Sequence, residues 1–322
     1  LYGVISSMWV AKAMGNVGMS AISLYSNLDN IGRAFGFFLL TTASSKISGL
    51  FGEGKGDEAG QVICDLIRVA FICGIIVPGI LTPCSKPLGR WFGATDEVIQ
   101  KGFNFLTPLN CCCVVTCIYL LMAGCLQAEG RSTLVAITQI SSLMLNMFVF
   151  CPLFLLVFKW ETPGAAFANV FAELIPAIIV SVLFFRGKFS VKPKFKGLFQ
   201  KFSPHTIPAL KVGISQLIMN LSRSIPSIFL RKFMGLCAEK SKEGNFDNAI
   251  SGFNAVSRIF GITDSVRLSV SMGLLPAASY SYTSNRYLRI FHLIFHSCWL
   301  NMIWGFSTTL LTAFGAKYVG MS

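Results

Sequence analysis

Charge is what this sequence has least of. Of its 322 residues, 13% are Asp, Glu, Lys or Arg and 53% are hydrophobic, and the mean hydropathy is +0.64. A soluble globular domain carries about 25% charged residues, so half that share leaves too little polar surface to keep a long chain in water. The alternative solvent is a bilayer, which a helix crosses with roughly 20 apolar residues and a barrel strand with about 10 alternating ones. The apolar runs here, 69–82, 114–126, 133–158 and 165–185, are long and continuous, which excludes the barrel and predicts helices. Acids are scarcer still, 14 against 27 Lys and Arg, a formal net charge of +13. That excess would suit a phosphate backbone if it were clustered, but most of the basic residues are scattered among the spans, so no nucleic-acid partner is expected.

The short patterns that carry chemistry are missing too. Gly52-Glu53-Gly54-Lys55-Gly56 lacks the Gly-Lys-Ser/Thr ending of a phosphate loop and reads as a tight turn between helices. No GxSxG nucleophile context, HExxH or CxxC pair occurs. His292 and His296 share a helix face at i,i+4 but have no third ligand nearby in sequence, so packing explains them. Of the eleven cysteines, seven (Cys73, Cys111, Cys112, Cys113, Cys117, Cys125 and Cys151) fall inside apolar runs, where they act as small hydrophobes. No catalytic residue, metal site or organic cofactor is expected.

What is present is a succession of spans: the tail of a helix at 1–14, then 19–50, 60–84, 102–127, 132–158, 163–186, 205–231, 248–282 and 287–314. Gly32 and Gly36 form a small-xxx-small pair that lets another helix approach closely. One segment is densely basic: Arg186, Lys188, Lys192, Lys194, Lys196 and Lys201, with no acid among them. Under the positive-inside rule it predicts a cytoplasmic loop, which puts the loops near 46–60, 126–136 and 283–290 on the same side. It also divides the chain into a first lobe at 1–186, a loop at 187–204 and a second lobe at 205–322. The start at Leu1 rather than Met, and the stop at Ser322 just after an apolar run, predict truncation at both ends.

A charge at the centre of a span costs at least about 2.5–3.5 kcal/mol on insertion scales, so the charges that persist there are candidates for function. Asp29 with Arg33 at i,i+4, and Asp65 with Arg68 and Asp264 with Arg267 at i,i+3, share helix faces and can neutralise each other. The Asp65 pair lies near a loop and reads as interfacial. Glu173, Lys211, Arg223 and Arg258 have no such local partner. Glu173, Asp29 and Asp264 are therefore the candidate acids for a water-filled cavity that binds a cation or proton, with Arg33 in the same cluster. The structural alternative is that they are interhelical glue.

Five motifs then stand in order: GEGKGDEA from Gly52 to Ala59, WFGATDE from Trp91 to Glu97, LQAEGR from Leu126 to Arg131, PGAAFA from Pro163 to Ala168, and PAASYSYTSNRYLR from Pro276 to Arg289. Together they resemble the loops and helix starts of the multidrug and toxic compound extrusion (MATE) family over nearly the whole chain. The resemblance implies an all-α transmembrane fold of two six-helix lobes, about nine of its twelve helices being present. It implies secondary active efflux of small organic cations or drugs across the lipid bilayer, in exchange for protons or sodium ions, by a multi-pass membrane protein expected to be a monomer. Two departures stand out. Many family members have an ion-binding aspartate in the first helix, where the alignment puts Ser6. The fifth helix often reads Asn-x-x-x-Asp-Pro, where this chain has Cys151 before Pro152 and Asn146 one residue out of step. Asn146 remains a candidate, and ion coupling in the first lobe is expected to run through Asp29 or Glu173. Two alternatives are a flippase for lipid-linked sugars, for which Arg33, Arg223, Arg258 and Arg267 would have to form a cationic cavity, and a multipass membrane enzyme.

Overall fold

The computed structural model describes residues 2–92, 95–240 and 246–319, the backbone alone over most of 2–20 and over 234–259. Among the described residues the fold is helical throughout. Helix α1 spans Tyr2–Gly52, α2 Gly56–Phe92, α3 Asp96–Cys111, α4 Cys113–Ala128 and α5 Ser132–Met144, the last continuing as π-helical turns at Leu145–Phe150 and Leu153–Val157. Then follow α6 Glu161–Phe185, a short 3₁₀ turn at Phe195–Phe199, α7 Thr206–Lys240, α8 Phe246–Thr283 and α9 Tyr287–Val319. Among the described residues four helices are long and apolar enough to cross a membrane (α1 from Leu24, α2, α5 with its π turns, and α6), and a fifth span is formed if α3 and α4 count as one rod bent by 52°.

Two expectations change. The segments 1–14 and 19–50 are one helix, not two. Gly15 and Gly18 lie at the expected break, but an isolated glycine costs a helix only about 1 kcal/mol, and no proline follows to stop it. The separate first helix onto which Ser6 was aligned is therefore absent as such, and the Ser6 side chain lies outside the described residues. The single span 102–127 is in turn interrupted at Cys112, one turn after Pro108.

Helix α1 is the axle. It packs against α2, α3, α4, α6, α7 and α8. Lipid tails are as apolar as leucine, so close van der Waals fit replaces the hydrophobic effect as the force between membrane helices. The α1–α4 crossing shows how the sequence achieves that fit. A Cβ on Gly124 would come within 2.5 Å of the Leu40 carbonyl oxygen, and one on Gly36 within 2.5 Å of the Leu120 side chain. Tyr119, Ala123 and Ala177 pack with Leu40 and Leu120 around this contact. Large apolar side chains on the outer faces, such as Ile75, Phe148, Ile179, Phe291 and Phe306, are exposed, as a lipid-facing surface requires.

The loops expected to share one side do gather at one end of the bundle. Ser284 donates to the Gly52 carbonyl at 3.3 Å, the Val191 amide donates to Glu129 at 2.9 Å, and Gln61 donates to the Gly197 carbonyl at 3.0 Å. Here a third reading is corrected. Asp65 is not an interfacial half of a surface pair but is 0% exposed. Its Oδ2 accepts from the Ser203 amide at 2.8 Å and the Thr206 hydroxyl at 2.7 Å, and its Oδ1 accepts from Gln61 at 3.0 Å. Arg68 is 3.7 Å from that carboxylate and spends its guanidinium on the carbonyls of Gln200 and Gly197. The basic segment is therefore a strap clamped across the ends of α2 and α4 and not a free loop.

Candidate functional site

A second buried polar cluster lies where α1, α4, α6 and the π turn after α5 meet. Asn169 and Glu173 are one turn apart on α6 and so share a face. Glu173 is buried, and its partners come from other helices. Thr116 of α4 donates to its Oε2 at 2.6 Å, and Arg33 of α1 lies 2.9 Å from its Oε1. The same Arg33 holds Asp29 at 3.1 Å through Nε. One guanidinium thus bridges two carboxylates, one 4% and one 23% exposed at the side chain. Cys113 and Cys117, their sulfurs 3.9 Å apart, lie within a turn of Thr116 on the same helix.

One turn along α6, the Asn146 amide donates to the Asn169 side-chain oxygen at 2.9 Å, and the Cys151 thiol donates to Asn146 at 3.4 Å. Asn146 is aimed by an irregular backbone. Pro152 has no N–H to continue the α-helical ladder, and the Cys151 amide reaches back five residues to the Asn146 carbonyl, forming a π turn. The one-residue offset of Asn146 in the sequence motif is what such a turn absorbs.

The sequence-derived candidates therefore divide. Asp29, Arg33 and Glu173 form a single network, Asn146 lies beside it through Asn169, and Asp264 lies elsewhere. Glu173 had no partner at local spacing; in the fold its partner is Arg33, 140 residues earlier. Thr116 and Asn169 were not singled out. Asn169 was within reach, because a second polar residue four positions before Glu173 marks a polar face. Thr116 carried no signal, since threonine is common in membrane helices.

In the second lobe the Asp264–Arg267 pair forms as its spacing predicts, with Arg267 donating through Nε at 2.9 Å and Nη2 at 2.6 Å. Arg223 of α7, unpaired in sequence, donates to the other oxygen at 2.5 Å. The Arg258 side chain lies outside the described residues.

Comparison with known proteins agrees with the fold. The family model described as MatE matches residues 1–153. No curated protein sequence matches the chain. Among solved structures, a multidrug resistance MATE family transporter of the MOP superfamily, in its outward-facing conformation, is similar at a TM-score of 0.85 and 18% identity over 99% of this chain and 68% of that one. A MOP superfamily transporter from Pyrococcus furiosus, described as having a binding pocket of reversed polarity that suggests a different function, gives 0.87 and 18% over the same shares. The MATE multidrug transporter DinF-BH gives 0.85 and 20% over 96% of this chain and 68% of that one. The match of residues 1–153 to that family model, and the likeness of the described chain to solved MATE transporters, agree with a multi-pass membrane protein of the MATE fold.

Proposed function

We propose that the chain is a secondary active efflux transporter that exports organic cations, and that a proton or sodium ion entering at Glu173 drives the exchange. One observation carries the reading: two carboxylates share a single guanidinium inside the first lobe, so one negative charge is left over in a place with little water. Ionisable groups inside a membrane bundle mark ion or substrate pathways by default, and a surplus carboxylate there is a cation acceptor. The geometry is compatible with a two-state element as well. With Glu173 ionised, Arg33 is held between α1 and α6 and Thr116 ties in α4. When Glu173 takes up a proton or sodium ion, Arg33 needs only Asp29, which lies on its own helix, and the tie between α1 and α6 weakens. An ion that binds one arrangement better than the other shifts their populations by its difference in affinity. The fold likeness to proteins described as multidrug transporters supports the efflux direction.

The test is uptake of a fluorescent organic cation into proteoliposomes under imposed proton or sodium gradients. Wild type is expected to respond to one gradient, and Glu173→Gln to lose the response. Transport by Glu173→Gln that remains normal across pH and sodium would overturn the assignment.

A further inference from the structure

The second lobe has the opposite charge stoichiometry. Asp264 lies between two guanidiniums and engages Nη1 of Arg223 with one oxygen and Nε and Nη2 of Arg267 with the other. One positive charge is left over, and the two arginine side chains remain 44% and 56% exposed. Asp264 and Arg267 open into a cleft of about 200 Å³ between α8 and α9, which Asn301 and Trp304 also line. The Trp304 indole is committed to the Thr263 carbonyl at 3.1 Å, and the Asn301 amide to the Ser297 carbonyl at 2.8 Å, so the wall of the cleft is set while the guanidinium edges remain open. An ionised triad facing hydrocarbon would cost several kcal/mol, so its open guanidinium edges favour a polar, anionic partner.

We propose that Arg223, Asp264, Arg267 and this cleft form a binding site for a single oxyanion group, the carboxylate or phosphate of a small molecule or lipid headgroup. Guanidiniums bind such groups through paired N–H donors. The volume is below the roughly 300–1,000 Å³ typical of drug-sized ligands, which limits the occupant to a small acid or to the acidic end of something larger. A lipid-linked pyrophosphate is a poor match, because Arg33 is already committed to two carboxylates and the second-lobe triad has one surplus charge. The inference deepens the transporter reading and rests on it: the chain would handle substrates that carry an anionic group as well as a cationic one. Asp264 has a distinctive part here as an internal stand-in that the ligand must displace.

The experiment is thermal stability of the full chain in nanodiscs at low salt, with benzoate as the free probe and phosphatidylglycerol as the lipid probe, each measured against discs of phosphatidylcholine alone. Benzoate is expected to raise the melting temperature, and Arg267→Gln to abolish the rise. Asp264→Asn is expected to lower the half-saturating concentration by about tenfold, the weight of one charge-assisted hydrogen bond, whereas loss of a merely structural ion pair would not tighten binding. If Asp264→Asn does not fold, Asn301→Asp, which adds a competing carboxylate to the cleft, should remove the benzoate response instead. Stabilisation by benzoate in phosphatidylcholine discs identifies a dissolved anion. Stabilisation by phosphatidylglycerol alone, lost in Arg267→Gln, identifies a headgroup. No response to either probe, or a response that Arg267→Gln leaves unchanged, overturns the site. Because the readout is binding and not gradient-driven transport, its failure would leave the role of Glu173 standing, and the converse also holds.

Discussion

The two lobes use the same side-chain chemistry in opposite proportion. The first lobe has two carboxylates around one guanidinium, drawn from α1 and α6 and joined to Thr116 of α4. The second has two guanidiniums around one carboxylate, beside an open cleft. In both, a local pair on one helix is completed by a third charge from another helix, and that third charge decides the sign of what is left over. Local spacing therefore reveals that a membrane charge is tolerated, but not what it attracts. Attraction is set by the partner across the helix interface.

The comparison can be broken most forcefully at Arg33. Arg33→Leu leaves Asp29 and the buried Glu173 without their shared cation, and unpairing a buried ion costs about 3–5 kcal/mol. The expected outcome is a large drop in melting temperature in detergent, part of which Arg33→Leu combined with Glu173→Gln restores. The exposed counterpart Arg223→Leu should lower it far less, since exposed pairs contribute only about 0–1 kcal/mol. Equal losses would erase the distinction between enclosed and open clusters.

A smaller effect is expected at the strap that joins the lobes. Asp65→Ala leaves the Ser203 amide and the Thr206 hydroxyl without their acceptor, at about 1–3 kcal/mol for buried groups. Trypsin should then cut within 186–201 roughly tenfold faster in inside-out vesicles, a 1.4 kcal/mol effect at the lower part of that range. Right-side-out vesicles should protect the segment, as a cytoplasmic position requires. Cleavage from the outside would invert the topology.

A change of similar size sharpens the first-lobe network. Thr116→Val removes one hydrogen bond to Glu173, worth about 1.5–3 kcal/mol when the acceptor is charged. It should shift the ion dependence of transport without abolishing it, as read from the gradient needed for half-maximal uptake.

Much of the architecture was legible because long apolar runs mark helices. The expected 163–186 and 287–314 became Glu161–Phe185 and Tyr287–Val319, and 60–84 became Gly56–Phe92. The helices run past their apolar cores because polar ends carry no hydropathy signal. The joined α1, the bend at Cys112 and the burial of Asp65 were not legible. Each depends on what packs against the segment, and Asp65 receives its partners from residues 138 and 141 positions later. The candidate acids could be named from their cost in a bilayer, whereas the bridge from Arg33 to Glu173 needed the fold.

The central claim, that the surplus carboxylate of the first lobe carries the ion, is tested most directly by watching the ion itself. In proteoliposomes loaded with a pH- or sodium-sensitive dye, addition of an organic cation should drive a measurable counterflow of one ion. Asp264→Asn should retain that counterflow and Glu173→Gln should lose it. Counterflow that persists in Glu173→Gln and disappears in Asp264→Asn would place ion coupling in the second lobe and contradict the account.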